Sequence, residues 1–600
     1  MKKIIWISPG DPSQRTGGYI YNSKICTGLF ENGYLSEMLI LDGQWPQSFS
    51  KVRWDEQLNT ISDNEFVVVD GMAWIAFSER QQKDLASRCH VWVLIHHLFD
   101  LDPVFKDKED VNTDLTSLNW VSGWISTSVL TKDIINQRLN QNGGVVVQPG
   151  IEKSVYIKNK NYLNLLNIAN LTPIKHQDLL LKKLAVLHQY DWTLRIVGSL
   201  DRDNEWVEYL IRLTADLGLD KRVSFVGECN QSELETHFDW AGVMVHTPIF
   251  ESYGMVLSEA LSRGIPVIST PAGATHHLSS KAIINVADNT LEATLSNWFD
   301  NRSFRNAAYK DALSLRFPSW SEQVYQFQLQ TGLMKHSFSS SWLNQREPFD
   351  HAARSEEFVK LFLDYVNSSS MRLLDLATGL ASGPRFMNNH HAKQISWLLL
   401  DHDKALLDRV YAEQIGIYFD HSIQLFNMDV HNIDALPISV DGVTTQALLD
   451  LVSEHWLDQF SSWLSTHKLP LLAALTVDGR FKWSIVDPLD ELVQSAFKIH
   501  QTWDRGFGPS VGIDAVHVLK RLLKEKGYQV QTKKTDWVIL KKDEQMLKEM
   551  IRGIAFAAKE AIRDVDGLPS DVECWLKRRQ NQIGSLELEV GHLDLLALPG

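Results

Sequence analysis

The stretch AGVMVHTPIFESYGMVLSEALSRGIPVIST, residues 241–270, decides the fold class of the chain around it. An apolar run of strand length is followed by a polar loop, an amphipathic segment from about Met255 to Ser262 that Gly264 ends, and a second apolar run. A strand, a helix and a strand in this order form a βαβ unit with parallel strands. Because both apolar runs are continuous, we expect strands covered on both faces, as in a doubly wound α/β fold.

Two glutamates, Glu251 and Glu259, lie on either side of the start of this predicted helix. Acidic side chains near a helix N-terminus stabilise the helix dipole by about 0.3–1 kcal/mol each, which is one explanation of the pair. A second explanation is a ligand site, because free N–H groups at a helix start bind phosphate. In that case Gly254 lets the backbone approach a diphosphate, and Glu259 accepts hydrogen bonds from the two hydroxyls of a ribose.

The alternation of strand-length and helix-length segments continues in both directions from this stretch. Apolar runs recur from KIIWIS to GVVVQPG, and again from LNLLNIAN to IPVIST. A polar connector, EKSVYIKNKNY at residues 152–162, separates the two series. We therefore predict two Rossmann-like domains, residues 1–155 and 156–335, with helical segments between about 302 and 335 closing the second.

A third βα series begins after the Ser-rich stretch KHSFSSSWLNQREP, residues 335–348. Its apolar runs include MRLLDLATG, ISWLLLDHD, IQLFNMDV and GVTTQALLDLV, and we predict further strands near the C-terminus with two amphipathic helices between them. This series predicts a third Rossmann-like domain over residues 336–600. The predicted fold class is thus α/β, with three Rossmann-like sheets of which the first two cooperate.

Composition and charge restrict the classes of function and location. The chain has 600 residues and a net charge of −15, whereas nucleic-acid binding requires a basic surface. Four scattered cysteines and the absence of a long uncharged apolar run predict a cytoplasmic protein with no disulfide framework and no transmembrane segment. The histidine pairs at 276–277 and 390–391 lack a third ligand at a recognisable spacing, so we expect no metal site.

The motifs of residues 1–335 occur in an order that resembles the retaining GT-B glycosyltransferases of the family-4 type. The loop PIFESYG and the segment EALSRGIPVIST, with glutamates eight positions apart, resemble the donor-site signature of that family. GDPSQRTGGYIYN resembles its Gly-rich first loop, and VLIHHLFD resembles the strand end at which members place a histidine facing the donor sugar. IANLTPIKHQDLL resembles a segment with a phosphate-binding Arg and Lys; here Lys175 is present and Asn170 occupies the Arg position.

The resemblance implies a nucleotide-diphosphate sugar as donor and assigns roles to the matching residues. Glu259 would bind the nucleotide ribose, Glu251 the donor sugar, and Lys175 the diphosphate leaving group, on which negative charge develops. The implied course is retention, with the phosphate accepting the proton of the acceptor, so that no protein nucleophile is needed. The candidate catalytic residues are Glu251, His96 and His97, and the candidate donor-binding residues are Gly17, Gly18, Asn170, Lys175, Gly254, Met255 and Glu259.

The first strand of the third series, RLLDLATGLASGPRFM, enters a Gly-rich turn and then a helix. Cofactors of several kinds, NAD, FAD and S-adenosylmethionine among them, are bound at such turns. The next strand ends at Asp401, 26 residues after Asp375, where a carboxylate meets ribose hydroxyls, and the third ends near Asp429. A hydride-transfer enzyme predicts a tighter G-x-G-x-x-G motif and a second acid about 20 residues on, which GLASG fits less well.

This order of motifs resembles the class I S-adenosylmethionine-dependent methyltransferases over about residues 340–600. The residues that the resemblance places around the cofactor are Asp375, Gly379 and Gly383 at the methionine portion, Asp401 at the ribose and Asp429 beside the adenine. The final LEVGHLDLLALPG is compatible with the antiparallel closing strand of that fold. Candidate contacts for the methyl acceptor, each with a structural role as its alternative, are Asp450, His455, Trp503 and Arg505.

The leading hypothesis is a bifunctional transferase that moves a sugar to a small-molecule or glycan acceptor and a methyl group to the same product or its precursor. In a second hypothesis the C-terminal domain binds S-adenosylmethionine or a partner without catalysis. A third hypothesis makes the whole chain a scaffold. Only Asn170 supports that third hypothesis, whereas Glu251, Glu259 and Lys175 favour catalysis.

Overall fold

The computed structural model describes residues 3–12, 14, 16–41, 43–44, 48–49, 51–98, 115–152, 161–270, 282–333, 338–367, 371–390, 395–414 and 423–600. The chain forms two compact units, Met1–Met334 and Lys335–Gly600. The first unit contains two parallel sheets and the second contains one mixed sheet. Of the four histidines considered as metal ligands, His276, His277 and His391 lie outside the described residues.

The first sheet is built from residues 4–146. The strands of this part are β1 (Ile4–Pro9), β2 (Leu35–Leu41), β3 (Gly43–Gln44), β4 (Ser48–Phe49), β5 (Phe66–Asp70), β6 (His90–Ile95), β7 (Gly123–Ser126) and β8 (Val145–Val146). The helices are α1 (Gly17–Glu31), α2 (Lys51–Leu58), α3 (Gly71–Ala76), α4 (Glu79–Arg88) and α5 (Val129–Leu139). β3 and β4 form a separate ribbon, and the others form a parallel sheet in the order β2-β1-β5-β6-β7-β8. Since β1 and β5 are buried at every position, the expected two-sided coverage is confirmed for them.

The second sheet is built from residues 164–285. Its strands are β9 (Asn164–Ile168), β10 (Thr193–Val197), β11 (Val223–Gly227), β12 (Val243–His246), β13 (Val267–Ser269) and β14 (Ile283–Asn285), all parallel in the order β11-β10-β9-β12-β13-β14. The helices that accompany it are α6 (Gln177–Ala185), α7 (Asn204–Asp216), α8 (Gln231–Trp240), α9 (Met255–Ser262), α10 (Leu291–Asp300) and α11 (Arg302–Ala312). The predicted helix bounds of α9 are confirmed, and ligand sites in such sheets lie beyond the carboxyl ends of the strands.

The chain returns to the first sheet after α11. Helix α12 (Trp320–Gln330) packs with α1, and its Val324 and Phe327 belong to the core formed around β1. Ile151 N–H donates to the Pro318 carbonyl at 2.8 Å, so the two chain segments that connect the sheets lie side by side. The predicted boundary includes α12 in residues 156–335, and the structure places Val324 and Phe327 of α12 in the core around β1.

The second unit contains one large sheet. Its strands are β15 (Met371–Leu376), β16 (Ile395–Asp401), β17 (Ile423–Asn427), β18 (Gly442–Gln446), β19 (Leu471–Trp483), β20 (Gln529–Lys534), β21 (Trp537–Ile539) and β22 (Leu588–Leu598). The order is β17-β16-β15-β18-β19-β22-β20, and β21 also pairs with β22. β15 to β19 are parallel neighbours, whereas β22 runs antiparallel to β19, β20 and β21. The predicted antiparallel direction of the last strand is confirmed.

Nine helices of the described residues accompany this sheet. They are α13 (Ser340–Ala353), α14 (Glu356–Val366), α15 (Ser382–Asn389), α16 (Lys404–Gln414), α17 (Glu454–His467), α18 (Asp490–Gln501), α19 (Ala515–Glu525), α20 (Glu544–Ala561) and α21 (Pro569–Gln582). α20 and α21 are the two predicted amphipathic helices before the last strand. The fully buried Arg579 of α21 pairs with Asp490, and its guanidinium lies 4.4 Å from the ring centre of Trp483, so this insertion packs on the sheet.

Sequence reasoning did not identify β2, β14 or β19. β2 and β14 are edge strands with partly exposed residues, so their apolar runs are interrupted. β19 contains Asp478, Gly479 and Arg480, which interrupt its hydrophobic pattern, and its register with β22 shifts between Val477 and Phe481. Bulges of this kind let a strand continue through residues that break its alternation.

Within the described ranges, no helix is long and apolar enough to cross a membrane, and no group of three His, Cys, Asp or Glu is placed to hold a metal ion.

Candidate functional site

The loop between β12 and α9 places Gly254 in a backbone conformation that only glycine adopts easily. Its φ is +82°, and a β-carbon there would lie 2.9 Å from Leu257 Cδ1 and 3.2 Å from Glu251 Cγ. The loop therefore closes tightly on the start of α9. Glycine lets the first N–H groups of the helix face the space beyond the strand ends, where an anion is favoured.

Glu251 is held in a partly buried ion-pair cluster. Its Oε2 accepts hydrogen bonds from Lys175 Nζ at 2.8 Å and from His246 Nε2 at 3.1 Å. Burial opposes ionisation of this carboxyl, but Lys175 and His246 outweigh it and hold its pKa well below the usual range. Glu251 is thus a carboxylate at neutral pH, and its position is set by two partners.

His246 is a site residue that the sequence analysis missed. It is buried at the end of β12, and burial lowers the pKa of its imidazole despite the neighbouring Glu251. Its Nδ1 has no hydrogen-bond partner among the described residues. A polar residue at the end of the otherwise apolar run GVMVHTP was the signal that could have identified it.

Glu259 has the opposite environment. It is half-buried on α9, and burial raises the pKa of its carboxyl to about 7, although Arg263 lowers it. Arg263 donates to Glu235 Oε2 and to the backbone carbonyl of Glu259, and no described residue hydrogen-bonds the Glu259 carboxyl itself. This acid therefore has its hydrogen-bonding capacity available for a ligand.

The start of α1 lies close to the start of α9. A β-carbon at Gly17 would lie 3.6 Å from Met255 Sδ, and one at Gly18 would lie 3.3 Å from the His96 ring. Two helix N-termini, one from each sheet, therefore approach one region. Both carry partial positive charge, which suits an anionic ligand.

The two histidines after β6 have different partners. His96 Nε2 donates to Asn22 Oδ1 at 2.9 Å, and Asn22 Nδ2 donates to Asp70 Oδ2 at 2.6 Å. Burial lowers the pKa of His96, so its ring is neutral at pH 7. His97 Nδ1 shares a hydrogen bond of 2.7 Å with Ser252 Oγ, and this bond joins the end of β6 to the loop before α9.

Lys175 and Asn170 both lie after β9. Lys175 ends a short turn, Pro173–Lys175, and forms an ion pair with Glu251. A bound phosphate would therefore compete with the Glu251 carboxylate for the positive charge of Lys175. The Asn170 carbonyl accepts from Gln177 Nε2 at 3.0 Å, and this bond fixes the loop. The predicted donor-site residues are thus brought to neighbouring strand ends of one unit.

The second unit has its own polar cluster beyond β15. The carboxyl of Asp375 accepts from Thr378 Oγ1 at 2.7 Å and Thr444 Oγ1 at 2.6 Å, and burial raises its pKa to about 6. The following loop has positive φ at Ala377, Gly379 and Ala381. Non-glycine residues in this conformation cost of order 1–3 kcal/mol each and concentrate at functional sites.

Asp401 connects the end of β16 to this loop. Its Oδ2 accepts from Gly379 N–H at 2.8 Å and its Oδ1 from Asp403 N–H at 2.9 Å. Each carboxylate oxygen retains a second lone pair for a ligand. Asp429 is exposed two residues after β17 and its Oδ1 accepts from His431 N–H.

Helix α13 is bonded to the loop and to the helix after it. Its Glu347 forms an ion pair with Arg385 of α15 at 2.6 Å, and its His351 Nε2 lies 3.1 Å from Ser382 Oγ. Arg354, directly after α13, donates to the side-chain oxygen of Gln446 at the end of β18. These contacts place α13 beside the carboxyl ends of β15 and β18.

The four predicted acceptor contacts are not equivalent in the structure. Asp450 is buried, its Oδ1 has no partner among the described residues, and burial raises its pKa to about 6. His455 is exposed on the first turn of α17. Trp503 is buried against His500, and Arg505 donates to the His500 carbonyl at 2.8 Å. Trp503 and Arg505 thus take part in packing, whereas Asp450 is buried with one carboxyl oxygen that no described residue hydrogen-bonds.

Comparison with known proteins finds similarity in the segment that forms the second sheet. Residues 151–310 match the family model described as Glycosyl transferases group 1. Over 116 residues the chain is 34% identical to a D-inositol 3-phosphate glycosyltransferase of Frankia alni. That match covers 18% of this chain and 28% of the length of the curated relative. The segment with β9 to β14 is therefore similar to the group 1 glycosyl transferases.

Solved structures of similar shape include three from bacteria. Anabaena HepE in complex with UDP and glucose has 16% identity and a TM-score of 0.44, and the match covers 56% of this chain and 100% of that chain. Sucrose-phosphate synthase of Thermosynechococcus elongatus has 16% identity and a TM-score of 0.43, with 55% and 97% covered. A glycosyltransferase of Rickettsia africae has 13% identity and a TM-score of 0.44, with 56% and 99% covered.

Proposed function

We propose that residues 1–335 form a GT-B glycosyltransferase that transfers a sugar from a nucleotide diphosphate with retention of configuration. The observation that carries this proposal is the pair Glu251 and Glu259 around the start of α9. One is ionised and fixed by Lys175, and the other has a carboxyl that no described residue hydrogen-bonds. The match of residues 151–310 to group 1 glycosyl transferases supports the same reaction class.

Each group has a task in this reaction. The N–H groups at the starts of α9 and α1 stabilise the charge that develops on the leaving diphosphate, and Lys175 adds a cation. Glu259 accepts hydrogen bonds from ribose hydroxyls, which also favours its ionised form. Glu251 and the neutral His96 orient the donor sugar, and the phosphate accepts the proton of the acceptor hydroxyl.

The donor site is tested by calorimetric titration of UDP, GDP and ADP into the intact protein and into Glu259→Gln. We expect one nucleotide to bind and Glu259→Gln to weaken it by at least about tenfold, since charged hydrogen bonds contribute about 1.5–3 kcal/mol. Glu235→Gln is the matched control, because Glu235 pairs with the neighbouring Arg263. Equal binding to wild type and Glu259→Gln would overturn the assignment of the donor site.

Retention is tested without knowing the acceptor. The slow hydrolysis of an α-linked nucleotide sugar by the intact protein is followed by proton NMR. Early appearance of the α-anomer of the free sugar is the expected result. Early appearance of the β-anomer would show inversion.

We further propose that residues 336–600 bind S-adenosylmethionine and transfer its methyl group. The observation in favour is the loop from Ala377 to Gly383, which leaves β15, adopts positive φ at three positions and donates its Gly379 N–H to Asp401. A parallel sheet completed by the antiparallel β22 agrees with the class I arrangement. The cofactor would supply the methyl group and its own leaving group, so the protein acts by positioning.

The cofactor proposal is tested by titration of S-adenosylhomocysteine into wild type and Asp401→Ala. We expect saturable binding that Asp401→Ala weakens by at least about tenfold. The exposed Asp408→Ala on α16 is the control. Binding of NAD in place of S-adenosylhomocysteine would favour a hydride-transfer site, and binding without methyl transfer would favour a non-catalytic module.

The proposed acceptors are small molecules or glycans, and the proposed location is the cytoplasm. A net charge of −15 disfavours nucleic acid as a partner of either site.

A further inference from the structure

Arg354 of the second unit is partly buried, and none of the described carboxylates forms an ion pair with it. It donates to the side-chain oxygen of Gln446, and its charge lies 5.6 Å from the ring centre of Phe386. Its Nε is buried without a hydrogen bond, and no described carboxylate forms a salt bridge with it. A charged group that is removed from water in part loses some of its hydration, and a nearby anion compensates for that loss.

The acidic residues around Arg354 are already bound elsewhere. The carboxylate of Asp350 forms an ion pair with Arg346, and the carboxyl of Asp375 accepts hydrogen bonds from two threonine hydroxyls. Asp594 accepts from Ser355 N–H, Leu475 N–H and Thr535 Oγ1. These three carboxylates act on Arg354 from a distance, while burial lowers the pKa of its guanidinium. No described carboxylate therefore contacts the Arg354 guanidinium directly, and an anionic ligand could do so.

The space beside Arg354 adjoins the candidate cofactor loop. A β-carbon at Gly383 would lie 3.5 Å from both terminal nitrogens of Arg354. Gly383 is the second residue of α15, so the positive end of this helix dipole faces the same region. A planar guanidinium and a helix start together suit a carboxylate or a phosphate.

We propose that Arg354 binds the carboxylate at the amino-acid end of the methyl donor, and so selects a ligand with a methionyl group. This inference rests on the proposed cofactor site. A carboxylate is favoured over a diphosphate because Asp375 and Asp401 lie along the same loop. A zwitterionic amino-acid group adds no net charge beside these acids, whereas a diphosphate adds two negative charges.

The test compares two ligands that differ in the amino-acid group. S-adenosylhomocysteine and 5′-methylthioadenosine are titrated into the intact protein as wild type and as Arg354→Met and Arg354→Lys. We expect wild type to prefer S-adenosylhomocysteine by at least about tenfold, Arg354→Met to lose that preference, and Arg354→Lys to retain part of it. Affinity for 5′-methylthioadenosine should change by less than about twofold in both variants.

Three controls separate the outcomes. Asp401→Ala should weaken both ligands, because both contain the ribose. Arg409→Met changes an exposed arginine on α16 and should leave both affinities unchanged. ADP is titrated in parallel, and an Arg354-dependent affinity for ADP alone would identify phosphate as the anion and overturn the proposal.

Failure of this inference differs from failure of the cofactor site. If S-adenosylhomocysteine binds wild type but Arg354→Met weakens both thioethers equally, Arg354 has a structural role and the inference is wrong. If neither thioether binds wild type, the cofactor proposal itself is wrong. Thermal unfolding of each variant, compared with wild type, identifies any variant that fails to fold, in which case Arg354→Lys alone decides.

Discussion

Glu251 and Glu259 show how one residue type acquires two chemical states from its surroundings. Glu251 has Lys175 and His246 as direct partners and is ionised, whereas Glu259 is half-buried and no described residue hydrogen-bonds its carboxyl. The spacing of the two acids was visible in the sequence. Their contrast was not, because Lys175 and His246 reach Glu251 only through the packing of β9 beside β12.

Glu259→Gln is expected to stabilise the protein at high pH while it weakens nucleotide binding. A carboxyl with a folded pKa of about 7 and an ordinary value of 4.5 keeps its proton more firmly when folded. Ionising it therefore lowers the free energy of unfolding as pH rises from 4.5 to 7, by up to about 3 kcal/mol. Urea unfolding at pH 4.5 and pH 8 should show equal stabilities at the first pH and a more stable variant at the second. A difference independent of pH would contradict this prediction.

Lys175→Met is expected to destabilise the first unit by about 2–4 kcal/mol, because it leaves the partly buried Glu251 carboxylate with less compensation. The double variant Lys175→Met with Glu251→Gln should recover part of this loss, since the uncompensated charge is then removed. Urea unfolding of the two single variants and the double variant measures the coupling. Additive losses would contradict the ion pair as the cause.

At the scale of elements, the start of α9 depends on one glycine. Gly254→Ala adds a methyl group 3.2 Å from Glu251 Cγ in a left-handed backbone conformation. We expect a loss of about 1–3 kcal/mol of stability together with weaker nucleotide binding. Gly332→Ala is the matched control, because Gly332 has φ +71° and no atom within 4 Å of the added methyl group. The control should lose stability without losing affinity.

The elements that could be predicted from the sequence were those with a local signal in their own residues. β1, β5 and α9 could be predicted because continuous apolar runs and the Gly254 and Gly264 boundaries are local signals. β19 could not, because only its bulged pairing with β22, more than 100 residues later, makes Asp478 and Gly479 compatible with a strand. Arg354 was also missed, since a lone arginine after a helix carries no motif.

At the scale of the whole molecule, the two units have separate apolar cores. Each described core cluster contains residues of one unit only, for example Leu374 to Ala597 in one and Ile4 to Phe327 in another. We predict that residues 1–334 and 335–600, produced separately, fold and bind a nucleotide and S-adenosylhomocysteine respectively, each within about threefold of the intact chain. Circular dichroism and calorimetry check this. An insoluble fragment, or one without its ligand, would show that the units depend on each other.

The return of α12 to the first sheet restricts how the two sheets of the first unit can move relative to each other. The backbone passes between its two sheets twice, and the Ile151 N–H bond to Pro318 joins the two passages. At Gly150 a β-carbon would lie 2.4 Å from the Trp320 backbone nitrogen, so the passages touch there. Two connecting segments that are bonded at one point can bend together, but neither segment can extend without the other. We therefore expect any relative motion of the two sheets to be a rotation about Gly150 and Ile151, because a sliding motion would break the contact between the two connecting segments.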